Sequence, residues 1–397
     1  MTGRPWIPRL IPCCLGIVLS VLLSLDAYAQ FGGSGKPSFA IRDGDRIALV
    51  GGTFIEREQQ YGYFELALNL ALPDTNFTMR NLGWSGDTVT AISRARFGNQ
   101  KEAWSHLTKS LELVDPTVII VGYGTNEAFQ GKQGLETFKA NYVKLLEELE
   151  KRTERIALIT PLPMENLGPP LPNPEEYNAN VKLYADAIEQ LAYDRGHHTL
   201  RFGDAVANYK PKTNSQPKHL TDNGMHLTEF GYWYVAPTMV SSLQSTSLQP
   251  PLKATSGDPL NALKTVAIPL PYAASPKGPA PKSIACQLPT LQEGSYTLKL
   301  SDASKVTASA EAWKKGVDVP AQDLYAKTEA LRQTILRKNQ LFFDRFRPQN
   351  ETYLYLFRKH EQGNNAVEIP QFDPLIEAQD NKILELKQSV QAAVQRD

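Results

Sequence analysis

The chain has 397 residues, of which 42% are hydrophobic and 21% charged, and its 42 basic and 42 acidic side chains give a formal net charge of zero. The hydrophobic fraction excludes a disordered chain. The zero net charge provides no long-range field that would attract nucleic acid or an anionic membrane surface. The 26 glycines and 28 prolines are too few for collagen-like or low-complexity sequence. We therefore expect a folded protein, of two or three domains at this length.

Residues 1–29 have the pattern of a secretory signal peptide. Arg4 and Arg9 precede an apolar run, which is followed by the small residues of Ala27-Tyr-Ala29. The run is shorter than the roughly 20 residues of a membrane-spanning helix. We expect cleavage after Ala29 and a secreted or periplasmic protein with no stable membrane span. Cys286 is then the one remaining cysteine, and we expect it to be a buried apolar side chain without a disulfide.

Short apolar segments alternate with amphipathic ones up to about residue 243. The apolar runs predict buried strands at 46–50, 76–82, 117–121, 155–160 and 199–202. Between and after them, the helical spacing of apolar residues predicts helices at 60–72, 87–97, 102–114, 135–152, 174–193 and 227–243. Strands that alternate with helices form a parallel sheet covered by helices on both faces. The predicted fold class is therefore α/β, with a parallel sheet of five strands.

The pattern changes after residue 246. A proline-rich stretch occupies 250–281, the alternation at 294–300 predicts a half-exposed strand, and long helices are predicted at 320–343 and 374–394. We divide the chain into a signal peptide, a flexible lead-in, an α/β domain, a proline-rich linker with a small β segment, and a helical C-terminal region. Their bounds are 1–29, 30–41, 42–246, 247–318 and 319–397. The sequence indicates no role for the last two.

Glycines and polar side chains follow three of the predicted strands. The three segments are Gly51-Gly-Thr53, Asn81-Leu-Gly-Trp-Ser-Gly-Asp-Thr88 and Gly122-Tyr-Gly-Thr-Asn-Glu127. A fourth segment, Asp222-Asn-Gly-Met-His226, precedes the last helix of the α/β domain. In parallel sheets ligands bind at the carboxyl ends of the strands. We therefore expect chemistry at the loops that follow these strands.

These side chains fit acyl transfer. A hydroxyl on a tight turn after the first strand, that of Thr53, is the candidate nucleophile, and His226 is the candidate base that deprotonates it. The backbone N–H of Gly86 and the side-chain amide of Asn126 are candidate donors to the developing oxyanion. Ser85 is a rival nucleophile, because it lies in a Gly-x-Ser-x sequence.

The four segments together resemble the sequence blocks of the SGNH hydrolases, also called GDSL esterases or lipases. Residues 81–88 match the second block, Gly124-Thr-Asn-Glu127 matches the third, and His226 matches the histidine of the last. The resemblance covers about 42–243. It implies a flavodoxin-like, three-layer α/β/α fold and a metal-free esterase mechanism without a cofactor, with Gly86 and Asn126 in the oxyanion hole.

The chain differs from the family pattern at both ends of the catalytic set. Thr53 stands where the family has its nucleophilic serine, with Gly52 before it instead of aspartate, and the extra methyl group of threonine restricts χ1. Asn223 lies three residues before His226, where the family has aspartate, and Asp222 lies four before. Asp222 is the predicted orienting acid; Asn223, which brings no negative charge, is the alternative.

The predicted function is hydrolysis of a carboxylic ester, either an acetylated carbohydrate or a lipid-like ester, through an acyl-Thr53 intermediate. The alternative is a non-catalytic glycan-binding protein on a degraded esterase scaffold. A flavodoxin-like cofactor protein is disfavoured, because no phosphate-binding GxGxxG follows the first strand. The charge run Glu56-Arg57-Glu58 would usually form a solvated helix face, but its closeness to Thr53 also allows Glu56 or Arg57 to contact substrate.

Overall fold

The computed structural model describes residues 39–96, 98–212, 216–244, 253–254, 273–278, 280–288, 291–300, 305–348, 365–390 and 392–397. The predicted signal peptide and most of the proline-rich stretch lie outside the described residues. Within the described residues, no helix is long and apolar enough to cross a membrane.

A five-stranded parallel sheet forms the centre of the N-terminal part. Its strands are β1 (Asp45–Gly51), β2 (Phe77–Asn81), β3 (Val118–Gly122), β4 (Ile156–Ile159) and β5 (His198–Leu200). Their order in the sheet is β2-β1-β3-β4-β5, and every neighbouring pair is parallel. The predicted α/β class and five-stranded parallel sheet are therefore confirmed.

Helices cover both faces of this sheet. They are α1 (Thr53–Glu58), α2 (Tyr63–Ala71), α3 (Gln100–Val114), α4 (Gly131–Glu150), α5 (Glu175–Arg195), α6 (Phe202–Ala207) and α7 (Glu229–Gln244). Successive side chains of a strand point to opposite faces. Accordingly, Ile47 and Leu49 of β1 belong to one buried core, whereas Ala48 and Val50 belong to a second. The three-layer arrangement follows from these two cores.

The helix predicted at 87–97 is wrong. The structure has a short 3-10 helix, Ile92–Ala95, preceded by turns, and residue 97 lies outside the described residues. The carboxylate of Asp87 accepts hydrogen bonds from Ser93 N at 3.3 Å and from Arg94 Nε at 2.8 Å. Because these bonds fold the chain back around Asp87, the segment forms a compact loop in place of a regular helix.

The C-terminal part contains more β structure than predicted. Its elements are β6 (Lys253–Ala254), β7 (Ser283–Cys286), β8 (Ser295–Leu300), β9 (Lys305–Ser309), α8 (Ala310–Lys315), β10 (Val317–Pro320), α9 (Gln322–Phe346), α10 (Asn365–Glu368), α11 (Phe372–Gln388) and β11 (Ala392–Arg396). One sheet has the order β6-β11-β8-β9, and β7 pairs with β10. The predicted strand and both long helices are present, although α11 ends before residue 394.

Buried charges attach the C-terminal helices to the edge strand β2. Lys338 of α9 pairs with Glu65 of α2 and donates a hydrogen bond to the carbonyl of Met79 at 2.8 Å; both charged side chains are buried. On the neighbouring residue of β2, Arg80 Nη1 donates to Asp380 Oδ1 of α11 at 3.0 Å. These contacts pack α9 and α11 against the β2 end of the sheet.

Cys286 lies at the end of β7 and is fully buried with a free thiol, as expected. Burial raises the pKa of the thiol to about 12. The thiolate is the reactive form of cysteine, so a thiol held protonated in this way is inert.

Candidate active site

A pocket at the carboxyl ends of β1 and β3 contains most of the predicted site residues. It encloses about 540 Å³, counting the part that is open to solvent, and Thr53, Asn126 and His226 all line it. Gly86 and Asp222 do not line it, but each forms a hydrogen bond with a residue that does. The structure thus brings five separate predictions to one place.

Thr53 is the first residue of α1 and follows β1 after a single intervening residue, Gly52. Its Oγ1 accepts a hydrogen bond from the backbone N–H of Gly86 at 2.9 Å. The turn requires glycine, because a Cβ on Gly51 would lie 2.4 Å from the carbonyl oxygen of Gly122. This close approach of β1 and β3 brings Thr53 to the loop that follows β3.

Two donors lie around the Thr53 hydroxyl. Gly86 adopts a φ of +70°, in the left-handed region that favours glycine, and its N–H bonds to Thr53. The side-chain amide of Asn126 donates to the carbonyl of Asp87 at 2.9 Å. An amide group carries two hydrogens, and this bond uses one of them. The arrangement can therefore offer N–H groups from two loops to an oxygen near Thr53.

A buried ion pair supports the loop after β2. Arg94 Nε donates to Asp87 Oδ2 at 2.8 Å, and both side chains are completely buried. The hydroxyl of Tyr123, which follows β3, donates to the same oxygen at 2.9 Å. Asp87 thereby links the loop that carries Gly86 to the loop that carries Asn126.

Glu127 joins the same two loops a second time. Its buried carboxylate accepts hydrogen bonds from Val89 N at 2.8 Å and from Gly124 N at 3.0 Å. Burial raises the pKa of Glu127. Since Glu127 directly follows Asn126, these bonds fix the backbone next to the candidate oxyanion donor.

Asn223 is the side chain that contacts the imidazole of His226. Its Nδ2 lies 3.1 Å from His226 Nδ1, and its Oδ1 accepts hydrogen bonds from His226 N at 2.8 Å and from Met225 N at 3.0 Å. The carboxylate of Asp222 is directed elsewhere and pairs with Arg57 at 3.2 Å. Among the described residues no hydrogen bond joins Asp222 to the His226 ring.

Charges around His226 favour the neutral imidazole. Burial lowers the pKa of His226, the cation of Arg57 lowers it further, and the carboxylate of Asp222 acts in the opposite direction. Arg57 lies on α1, one turn after Thr53, and also lines the pocket. In the described part of the chain, Thr53 and His226 share this pocket without a hydrogen bond between them.

Arg57 is the residue that the sequence marked least clearly. Its only signal was its position in the charge run after Thr53, and the run proves to be divided. Glu58 is buried within the protein, Arg57 lines the pocket, and Glu56 accepts a hydrogen bond from Ser85 Oγ at 2.8 Å. Ser85, the rival nucleophile, does not line this pocket.

The described residues contain no group of three or more histidine, cysteine, aspartate or glutamate side chains arranged to hold a metal ion. The arrangement of Thr53, His226, Gly86 and Asn126 matches instead the needs of acyl transfer: a hydroxyl, a neutral imidazole, and N–H donors.

Comparison with known proteins agrees with the site. Residues 50–234 match the profile of the GDSL-like Lipase/Acylhydrolase family. No curated protein sequence matches the chain. Among solved structures, a gut microbial diltiazem-metabolizing enzyme has a TM-score of 0.56 at 14% identity, over 90% of this chain and 98% of its own. Axe2, an acetylxylan esterase from Geobacillus stearothermophilus, has a TM-score of 0.39 at 15% identity, over 51% of this chain and 96% of its own.

At these identities the structural likeness concerns the fold, and the first of the two extends over most of the C-terminal part as well. The family match, in contrast, covers every residue that lines the pocket. Residues 50–234 of the chain therefore belong to the GDSL-like lipase/acylhydrolase family of hydrolases.

Proposed function

We propose that the protein hydrolyses a carboxylic ester through an acyl intermediate on Thr53. The observation that carries the proposal is the position of the Thr53 hydroxyl, which lies 2.9 Å from the N–H of Gly86 at a pocket lined by Asn126 and His226. A nucleophile beside an oxyanion donor and near an imidazole is the arrangement that acyl transfer requires. Membership of a hydrolase family supports the same reaction class.

In this mechanism Thr53 Oγ1 attacks the ester carbonyl and transfers its proton to His226. The oxygen of the tetrahedral intermediate takes over the N–H of Gly86 and accepts the free amide hydrogen of Asn126. His226 then donates the proton to the leaving alkoxide, which departs as an alcohol. Water attacks the acyl group in the second half-reaction, with His226 again as base, and releases the acid and Thr53.

Asp222 is assigned a supporting role through charge. Its carboxylate pairs with Arg57, so it offsets the cation that lies closest to the imidazole. An imidazolium that forms during proton transfer is stabilised by a nearby negative charge. Asp222 therefore favours the protonated intermediate of His226 even though Asn223 makes the direct contact.

The proposed substrate is an acetylated carbohydrate. The expected export of the chain and its zero net charge suit a neutral extracellular polymer. A lipid-like ester is the competing substrate class. Rates on p-nitrophenyl acetate, p-nitrophenyl octanoate and acetylated xylan separate the two: a carbohydrate esterase prefers the acetyl esters, and preference for the octanoate would contradict this assignment.

Export is proposed from the sequence pattern of residues 1–29. Expression of the full chain in a secreting bacterial host, followed by N-terminal sequencing of the protein, tests it. A mature chain that begins at Gln30 is expected, whereas an intact N-terminus on cytoplasmic protein would contradict the proposal.

The reaction itself is tested with purified wild type, Thr53→Ala and His226→Ala on p-nitrophenyl acetate. Both variants should lose turnover by at least about 10³-fold, the scale seen when a member of a catalytic triad is removed. Turnover that survives both substitutions would rule out the assigned residues. Mass spectrometry of the wild type after brief mixing with substrate should locate the acyl group on Thr53.

A glycan-binding protein is the second candidate, and one observation favours it: an uncharged amide contacts His226 where the reaction needs a negative charge. In that case wild type would show no turnover of any ester. It would instead bind acetylated oligosaccharides in calorimetry, with weaker binding after His226→Ala.

A further inference from the structure

The side-chain amide of Asn223 has a fixed orientation. Its Oδ1 accepts two backbone N–H groups, those of Met225 at 3.0 Å and His226 at 2.8 Å. An amide nitrogen has only hydrogens to offer and could not replace the oxygen there. The oxygen is thus assigned by the hydrogen-bond network, and the NH₂ group of Asn223 must face the imidazole of His226.

This orientation determines which ring nitrogen of His226 carries the proton. The Asn223 NH₂ lies 3.1 Å from Nδ1, so Nδ1 has to accept the hydrogen bond through its lone pair. In a neutral imidazole one nitrogen accepts and the other donates. The proton therefore lies on Nε2.

A proton on Nε2 is in the wrong place for base catalysis there. To take the Thr53 proton at Nε2, the ring must first carry its own proton on Nδ1. That places a ring N–H against the NH₂ of Asn223, and rotating the amide to avoid this places the NH₂ against two backbone N–H groups. Either change leaves donors facing donors.

We infer that Asn223 is a positioning residue that holds His226 in the Nε2–H tautomer and so restrains its action as a general base. The inference rests on the proposed function only for its catalytic consequence, because the tautomer is a property of the resting protein. In the resting pocket His226 offers an N–H donor, which suits binding of a substrate oxygen better than removal of the Thr53 proton.

The substitution Asn223→Asp should release this restraint. One carboxylate oxygen can still accept the backbone N–H groups of Met225 and His226, while the other accepts a proton-bearing Nδ1. Nε2 is then free to receive the Thr53 proton, and the new carboxylate stabilises the imidazolium that results. The change alters no volume and should leave the loop intact.

The experiment combines kinetics with nitrogen NMR on full-length protein. We expect Asn223→Asp to raise kcat/KM for p-nitrophenyl acetate by at least about 10²-fold, within the roughly 10⁴-fold effect that a wrong imidazole tautomer has in a serine–histidine–aspartate triad. Asn99→Asp is the matched control. The Oδ1 of Asn99 also accepts two backbone N–H groups, from Lys101 and Glu102, at the start of α3. Asp caps a helix as well as Asn does, so turnover should not change.

Spectra of ¹⁵N-histidine-labelled protein, with the His226→Gln variant to assign the ring signals, report the tautomer directly. Wild type should show a protonated Nε2 and an unprotonated Nδ1, and Asn223→Asp should show a protonated Nδ1. A protonated Nδ1 in wild type would overturn the inference whatever the activities. The expected spectra together with no gain in turnover would support the inference and contradict instead the acyl-Thr53 mechanism.

Discussion

The two sides of the pocket are built differently. The oxyanion side consists of Thr53, Gly86 and Asn126, and the base side of Asp222, Asn223 and His226. Loops that follow β1, β2 and β3 form the oxyanion side, and the buried Asp87–Arg94 pair holds it from behind. The base side has an amide on its imidazole and a carboxylate paired to Arg57. Recognition of an ester carbonyl and transfer of its proton are therefore separable properties of this fold.

Loss of the support behind the oxyanion side should have the largest effect. Lys338→Met leaves Glu65 buried without its cation and removes the donor to Met79 of β2. Breaking a buried pair from one side typically costs about 3–5 kcal/mol, so we expect a loss of that size in the free energy of unfolding, measured by urea denaturation. Lys182→Met, which breaks an exposed pair with Asp186, should cost less than about 1 kcal/mol.

The same variant has a predictable dependence on pH. Burial already raises the pKa of Glu65 from 4.5, and Lys338 opposes that rise. Without Lys338 the folded-state pKa rises further above the unfolded value, so stability is lost as pH increases from about 4.5. The destabilisation should be smallest in acid and larger at pH 8. Equal losses at both values would contradict the ionised state of Glu65.

Removal of an oxyanion donor should have the next largest effect. Asn126→Ala removes the side-chain amide at the pocket, and loss of one such donor typically lowers kcat by about 10²- to 10³-fold. KM should change little, because the bond strengthens only as the oxyanion develops. The exposed Asn208→Ala is the control. A loss confined to KM would place Asn126 in substrate binding instead.

A smaller effect is expected from Gly86→Ala. The φ of +70° costs an alanine roughly 1–2 kcal/mol, and relief of this strain moves the N–H that faces Thr53. We expect kcat/KM to fall by about 10- to 100-fold. Gly44→Ala carries the same type of strain, with a φ of +81° and open space for its Cβ, outside the pocket lining. It should lower stability similarly and leave kcat/KM unchanged.

The smallest expected change concerns the base side. Arg57→Gln removes the cation that lowers the pKa of His226 and leaves Asp222 to raise it. Since the neutral imidazole is the reactive form, the acid limb of the kcat/KM profile lies below the ordinary pKa of about 6.5 in wild type and should move up by about 0.5 to 1 unit. Arg201→Gln breaks an exposed pair with Glu189 and should not shift it. A downward shift would refute this account of the charges.

The sequence was a good guide to the sheet and a weaker one elsewhere. Runs such as 117–121 are apolar enough to identify buried strands, and their carboxyl ends locate the pocket. The predicted helix at 374–394 was too long, because Val390 and Val394 fit a helical spacing while 392–396 actually pairs with β8. Pairing between strands depends on distant residues, so local periodicity could not reveal it.

The site shows the same division. Thr53, Gly86, Asn126 and His226 were found through local motifs, and their catalytic roles remain predictions. The pairing of Arg57 with Asp222 joins residues 165 positions apart, and no local signal encodes it. Nor could spacing alone decide between Asp222 and Asn223 as the neighbour of the imidazole, because that depends on how the loop turns.

The pairing of α9 with α2 also has a consequence in time. Glu65 and Lys338 are 273 residues apart in the chain. At the usual 5–20 residues per second, Lys338 is synthesised about 15–55 s after Glu65. Until then Glu65 has no cation and the edge of β2 lacks its helical cover, which is a template for pairing with other chains. A chain that stalls or is cut before α9 is therefore an aggregation hazard, and expression of the α/β domain alone should yield insoluble protein.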